Sequence, residues 1–181
     1  PDVMAESIAE VRFLRSFYYH YLIELYGDVP LVTSTLSLSN SNFARDPKST
    51  IVDFIIKELE ESVQDLPAEN DPLSGRATQG AAWTLLSRVA LYNERWDKAI
   101  HAAEQVMAKE GSEFILDPNY MDLFQYAGED SKEIIFSVQY LENANVHSLF
   151  RLFGSRNALG HTNKKPTYQL TDAWECTDGL Q

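Results

Sequence analysis

Phe150, Arg151, Phe153, Arg156, Asn157, His161 and Asn163 fall within one short stretch and share a recognisable chemistry. Sugar rings carry apolar C–H faces that stack on aromatic rings, and their hydroxyls need polar partners that donate and accept in fixed directions. The stretch from Asn143 to Pro166 supplies both kinds of group. It has no regular hydrophobic period, and it holds Arg151, Arg156, Lys164 and Lys165 with no Asp or Glu, a local balance of +4 in a chain of −12. Phe150 and Phe153 admit two readings. They are stacking platforms, or, being at helical spacing, they anchor the loop to a core.

Catalytic constellations are missing. The sequence has no His-Glu-x-x-His, no Gly-x-Ser-x-Gly, no phosphate-cradling glycine loop and no Gly-x-Gly-x-x-Gly. Asp117, Asn119 and Asp122 resemble the start of a calcium loop but lack its central glycine and distal glutamate, and read as a capped helix start. Glu58, Glu60 and Glu61 sit too close along a helix to oppose each other as an acid pair, and with Asp65 and Glu69 read as a solvated face. His20, His101, His147 and His161 are too scattered for a metal motif. The expectation is a protein without catalytic activity, metal or cofactor.

These residues must be held by a scaffold, and the composition allows one. The chain has 181 residues, of which 44% are apolar, 23% charged and 12% aromatic, enough for one domain with a core. The acid surplus repels phosphate backbones, so no nucleic-acid partner is expected. Apolar runs fall far short of a membrane-spanning helix. Cys176 alone excludes an internal disulfide framework and leaves the compartment open. Without an initiator Met, and ending just after Asp178-Gly179, the sequence reads as cut at both ends.

Hydrophobic period supplies the elements. Ile8, Val11, Leu14, Tyr18, Tyr21, Leu22 and Leu25, at spacings of three and four, predict one inward face of a helix from Ala5 to Tyr26, widened by Phe13 and Phe17. Gly27 and Pro30 end it. After a Ser/Asn-rich excursion from Asp28 to Lys48, Thr50 and Asp53 resemble a capping box, followed by a stripe of Val52, Ile55, Ile56, Leu59, Val63 and Leu66. Thr78 is the expected N-cap of a third helix with Ala82, Leu85, Leu86 and Val89 inward. Asn93 to Arg95 then turns into a fourth, with Trp96, Ala99, Ile100, Ala103, Val106 and Met107 inward and Gly111 closing. The short connection predicts an antiparallel hairpin. Trp83-x2-Leu86-Ser87-x2-Ala90 and Ala99-x3-Ala103 follow the tetratricopeptide pattern, and the first two helices make a second, wider hairpin. Trp83, Trp96 and Trp174 are expected in the core. Asp117-Pro118 begins a short helical turn, and alternation of Ile134, Phe136, Val138 and Tyr140 predicts a strand from Glu133 to Leu141. The fold class is thus mainly α, with tetratricopeptide-like hairpins, one short strand and long irregular loops.

Several segments together resemble the SusD/RagB family of outer-membrane nutrient-binding lipoproteins. The resemblance is carried by Glu10 to Tyr19 running into Tyr26-Gly27-Asp28-Val29-Pro30-Leu31, by Gly75-Arg76-Ala77-Thr78-Gln79-Gly80 with Ser87 to Tyr92 and Arg95-Trp96-Asp97, by Glu133-Ile134-Ile135-Phe136-Ser137, and by Pro166-Thr167-Tyr168 through Trp174-Glu175. It implies a right-handed array of helical pairs and non-catalytic glycan binding at the cell surface. It also implies an N-terminal lipid anchor absent from this chain, and delivery of oligosaccharide to a SusC-type TonB-dependent transporter. Family members are longer, so 1–181 is expected to be an internal piece of one domain, with helical repeats over 1–110 and strand, variable loop and Pro-Thr landmark over 111–181. Cys176 does not match the anchor cysteine. Some ligand-contacting aromatics of the family lie between the strand and the Pro-Thr landmark, here Asn143 to Lys165. The alternatives are a scaffold docking on the transporter, or binding of peptides in place of glycans.

Overall fold

The computed structural model describes residues 3–37, 42–140, 149–154 and 167–169, and the chain divides into two compact units, 1–139 and 140–181. The first unit is built on four helices, α1 (Val3–Tyr26), α2 (Lys48–Ser62), α3 (Gln79–Tyr92) and α4 (Trp96–Met107). Each packs on the next in order, and α1 also touches α3. The mainly helical class is as expected.

α2 forms the centre. Ile51, Ile55 and Leu59 are fully buried and Val52 nearly so, joined by Ile56, Val63 and Leu66, which matches the expected stripe. Its start differs. The helix begins at Lys48 behind Pro47, with no side chain capping it, so Thr50 lies inside the first turn and makes no capping box. Pro47 at the N-cap suffices because its fixed φ suits the entry, and it has no N–H to satisfy.

α3 begins as expected: Thr78 Oγ1 accepts from the N–H of Ala81 at 3.3 Å, and Ala82, Leu85, Leu86 and Val89 are buried. Glu94, at φ 60°, makes the tight turn, while Asn93 Nδ2 donates to the Val89 carbonyl at 2.8 Å. α4 then returns against α3 close enough for Ser87 Oγ to donate to the Ala99 carbonyl at 3.1 Å. A small residue at position 87 permits that approach.

Two helix faces differ from the sequence expectation. On α1 the buried residues are Ala9, Phe13, Ser16, Tyr19, His20 and Ile23, whereas Ile8, Val11, Leu14, Tyr18, Tyr21, Leu22 and Leu25 are all exposed. Apolar residues of α1 stand side by side, Phe13 with Leu14, Tyr18 with Tyr19 and Leu22 with Ile23, so periodicity alone does not select a face. Packing on α2 selects the side carrying Ala9 and Ser16, whose small side chains let two helices approach. On α4 the buried residues are Ala99 and Ala102 for the same reason, and Trp96, Ile100 and Met107 stay exposed. Trp96 is therefore not a core residue, Trp83 is half-buried against the core with its ring edge on His101 at 5.5 Å, and Trp174 lies outside the described residues.

The expected strand does not form among the described residues. Segment 133–140 has no ladder among the described residues: Glu133 lies in a turn, Ile135 is a bend, and 136–140 carry no regular secondary structure. Its polar groups find side chains and loops: Asn70 Nδ2 donates to the Ile134 carbonyl at 2.9 Å, and Gln139 Nε2 donates to the Pro72 carbonyl at 2.8 Å. Consecutive Ile135 and Phe136 both pack on the core, which a period-two strand does not allow. The Asp28–Lys48 excursion is closed at its base by the Asp46 N–H on the Val29 carbonyl, 3.0 Å, and by Asp46 Oδ2 accepting from the N–H of Leu31, 2.9 Å.

Candidate functional site

The residues singled out for sugar recognition fall in the second unit. A five-residue helix, α5 (Leu149–Phe153), carries Phe150, Arg151 and Phe153. Phe150 and Phe153 occupy positions i and i+3, so the helical spacing read from the sequence is real. Phe153 is 47% exposed, and Leu149 and Leu152 on the same short helix are exposed too. Half of this ring is open to solvent, the exposure a stacking platform requires. Arg156, Asn157, His161 and Asn163 lie outside the described residues, as do Lys164, Lys165 and Cys176.

The first unit adds an aromatic group that pattern reading passed over. Tyr120 and Phe124 are each 70% exposed, with ring centroids 5.1 Å apart at 66°, and Tyr126 is 94% exposed. Phe124 and Tyr126 stand on two consecutive 3-10 turns, Asp122–Phe124 and Tyr126–Gly128, and Tyr120 lies just before the first. Asp117 organises these turns. Its Oδ1 accepts from the N–H of Asn119 at 3.0 Å, its Oδ2 accepts from Ser131 Oγ at 3.1 Å, and its own N–H donates to Glu133 Oε2 at 2.7 Å. Asn119 Oδ1 in turn accepts from the N–H of Met121 at 3.2 Å. The Asp117 and Asn119 oxygens each accept from the N–H two residues on, whereas the 3-10 turn begins at Asp122 behind Met121 with no side-chain cap, so the expected capped helix start does not form. The i, i+4 spacing of Tyr120 and Phe124 resembles a buried helix face, so their exposure gave no signal in the sequence.

Glu58 departs from the expectation of a solvated face. It is 7% exposed, and its Oε2 accepts from Arg15 Nε at 3.0 Å and from Arg15 Nη2. Arg15 also lies over the Phe54 ring at 5.3 Å. A carboxylate committed to a guanidinium at a helix seam is structural chemistry. Glu60 and Glu61 do face outward, paired with Lys98 and Arg12. His20 is buried between α1 and α3, with Nδ1 lacking a partner. Burial pushes its pKa below the ordinary value, nearby Glu24 opposes that shift, and Arg88 and Lys48 reinforce it. Among the described residues no group of three His, Cys, Asp or Glu side chains is placed to hold a metal ion.

The first unit is a scaffold of successive packed helices. The comparisons make this specific: residues 2–91 match the family model SusD-like_3, described as starch-binding and associating with the outer membrane, and the chain belongs to this SusD-like family. It is 28% identical over 180 residues to the starch-binding protein SusD of Bacteroides thetaiotaomicron, covering 93% of this chain and 31% of that protein. The crystal structure of a SusD-like carbohydrate-binding protein from Bacteroides fragilis superposes with a TM-score of 0.86 at 30% identity, over 97% of this chain and 35% of that one. Surface glycan-binding protein A of B. thetaiotaomicron, in complex with laminarihexaose, gives a TM-score of 0.63 at 27% identity, over 75% of this chain and 28% of that one. The chain spans between a quarter and a third of the length of the curated relatives it matches.

Proposed function

We propose that the protein is a non-catalytic glycan-binding component of the outer-membrane surface that passes oligosaccharide to a SusC-type TonB-dependent transporter, with 1–181 forming part of one larger SusD-like domain. The observation that carries the reading is the half-exposed ring of Phe153 on a short helix inside a stretch rich in Arg, Lys and Asn and free of carboxylates. In this reading Phe150 and Phe153 stack on sugar faces, and Arg151, Arg156, Asn157, His161 and Asn163 engage hydroxyls or carboxylates. The laminarihexaose complex of one relative and the starch-binding description of another support a glycan as the ligand class.

Isothermal titration with laminarihexaose, a neutral starch oligosaccharide and a uronate-bearing oligosaccharide tests the proposal. Phe153→Ala is expected to weaken binding on the order of tenfold, the equivalent of one lost stacking contact. Lys57→Ala, at an exposed position of α2 outside both aromatic groups, serves as the control and leaves affinity unchanged. Unaltered affinity in both Phe150→Ala and Phe153→Ala overturns the assignment of the site. Absence of binding to any of the three probes, together with loss of transporter co-purification on alanine replacement across 143–165, favours the scaffold reading instead.

A further inference from the structure

His20 stands at the seam of α1 with α3, near the start of α2. It is 6% exposed, its ring lies 5.8 Å from that of Tyr21 on α1 and 6.4 Å from that of Tyr92 on α3, and its Nδ1 is shut off from solvent without a hydrogen-bond partner. The charged groups that act on it come from all three helices: Glu24 one turn further along α1, Arg88 of α3, and Lys48, the first residue of α2. Glu24 is already engaged, its Oε1 accepting from Lys48 Nζ at 3.0 Å. The Lys48 N–H donates in turn to Asp28 Oδ1 at 2.8 Å, and two residues earlier the Asp46 N–H meets the Val29 carbonyl at 3.0 Å. The first turn of α2 is thus tied to the end of α1 through one ion pair whose acid lies a helical turn from a buried imidazole. A second tie between α1 and the excursion, Tyr19 Oη accepting from the Val32 N–H at 2.7 Å, carries no charge.

We propose that His20 is an acid-responsive latch on the first turn of α2: its protonation draws Glu24 away and repels Lys48, so the Glu24–Lys48 pair opens and the foot of the excursion loosens while the rest of the first unit stays folded. Two forces act in the same direction. An imidazolium shut off from water needs a counter-charge, and among the groups acting on this ring Glu24 alone is an anion, at the i, i+4 spacing that brings helical side chains together. The new positive charge also pushes on Lys48, the cation it must displace. Separation is cheap for the partners, because about a third of each side chain already meets water, which takes over the ammonium. Burial, with Arg88 and Lys48, delays protonation to a pH below the ordinary histidine value, so the latch is closed at neutral pH and works on the mildly acid side. The Tyr19 tie does not follow the proton and holds the other arm of the excursion.

Hydrogen exchange of the full-length protein, read by mass spectrometry at pH 7.5 and 5.0 and corrected for the chemical dependence of exchange on pH, tests this. Protection of peptide 44–52, which holds the Asp46, Lys48, Thr50 and Ile51 amides, is expected to fall about two- to fivefold on acidification, while peptides across α3 and α4 keep theirs. In His20→Gln the 44–52 protection should be the same at both pH values. Lys48→Met, which removes the pair without touching the buried ring, should show the lowered protection at both. An equal loss across α3 and α4 overturns the latch, since the proton then destabilises the whole unit. So does an unchanged 44–52 peptide in the parent, or an acid loss there that survives in either variant, which would belong to the carboxylates. Glycan affinity plays no part in the measurement, so failure here leaves the α5 assignment standing.

Discussion

Glu58 and Arg15 show how a residue's role is decided by what stands opposite it. Glu58 on α2 is nine-tenths buried, and Arg15 on α1 is the group that neutralises it. Glu58→Gln leaves the guanidinium without its counter-charge. The expected loss is roughly 2 kcal/mol, between an exposed and a fully buried pair, because a third of the Arg15 side chain still meets water. The midpoint of urea unfolding measures it. His20 gives a pH dependence of known sign. Its folded pKa lies below the unfolded value of 6.5, mainly through burial, so the unfolded chain takes up the proton more readily. Its contribution is therefore complete above pH 6.5 and is lost as pH falls through the folded pKa. Urea midpoints between pH 7.5 and 5.5 are expected to decline on acidification, and His20→Leu should decline less. An identical slope in the variant would assign the effect to other groups.

At the scale of elements, two glycines separate backbone conformation from available space. Gly27 ends α1 at φ 69° with nothing within 4 Å of where a Cβ would stand, so Gly27→Ala costs only the left-handed penalty, about 1 kcal/mol. Gly80 has an ordinary helical conformation, but a Cβ there would run into the Phe114 ring. Gly80→Ala is expected to cost about 1–3 kcal/mol through displacement of that ring. Pairing each with Phe114→Leu distinguishes them: the smaller side chain relieves Gly80→Ala and leaves the cost of Gly27→Ala unchanged. In the centre of α2, Ile55→Ala removes a fully buried side chain and is expected to cost about 2–5 kcal/mol, seen as a lower thermal midpoint. Legibility differed among these elements. The stripes of α2 and α3, the Thr78 cap and the Gly27 stop were readable because one face of each is apolar and the other is not. The face of α1 was not, since Leu14 and Phe13 are adjacent and equally hydrophobic. Only contact with α2 decides which of them is inside.

Across the whole molecule, a chain of net charge −12 carries one cation-rich stretch at 143–166 that has no Asp or Glu. If the loop's local +4 governs ligand choice, a uronate-bearing oligosaccharide should bind more tightly than a neutral one of equal length, and the advantage should shrink with added salt. Tighter binding of the neutral sugar removes the acidic preference and leaves stacking as the main term. Of the candidate site, the helical spacing of Phe150 and Phe153 was legible because spacing is a property of the chain. The exposure of Phe153, and of Tyr120, Phe124 and Tyr126, was not, because exposure depends on what else packs nearby. The sequence by itself determined the helical class, the order of the hairpins, the family and the chemistry of the loop, all of which follow from local period, residue type and motif order. Only the tertiary structure decided that α1 buries the face of Ala9, Phe13, Ser16 and Ile23, that Glu58 is buried and that, among the described residues, segment 133–140 has no ladder. Each of these depends on distances between residues far apart in the chain, and no local pattern encodes them.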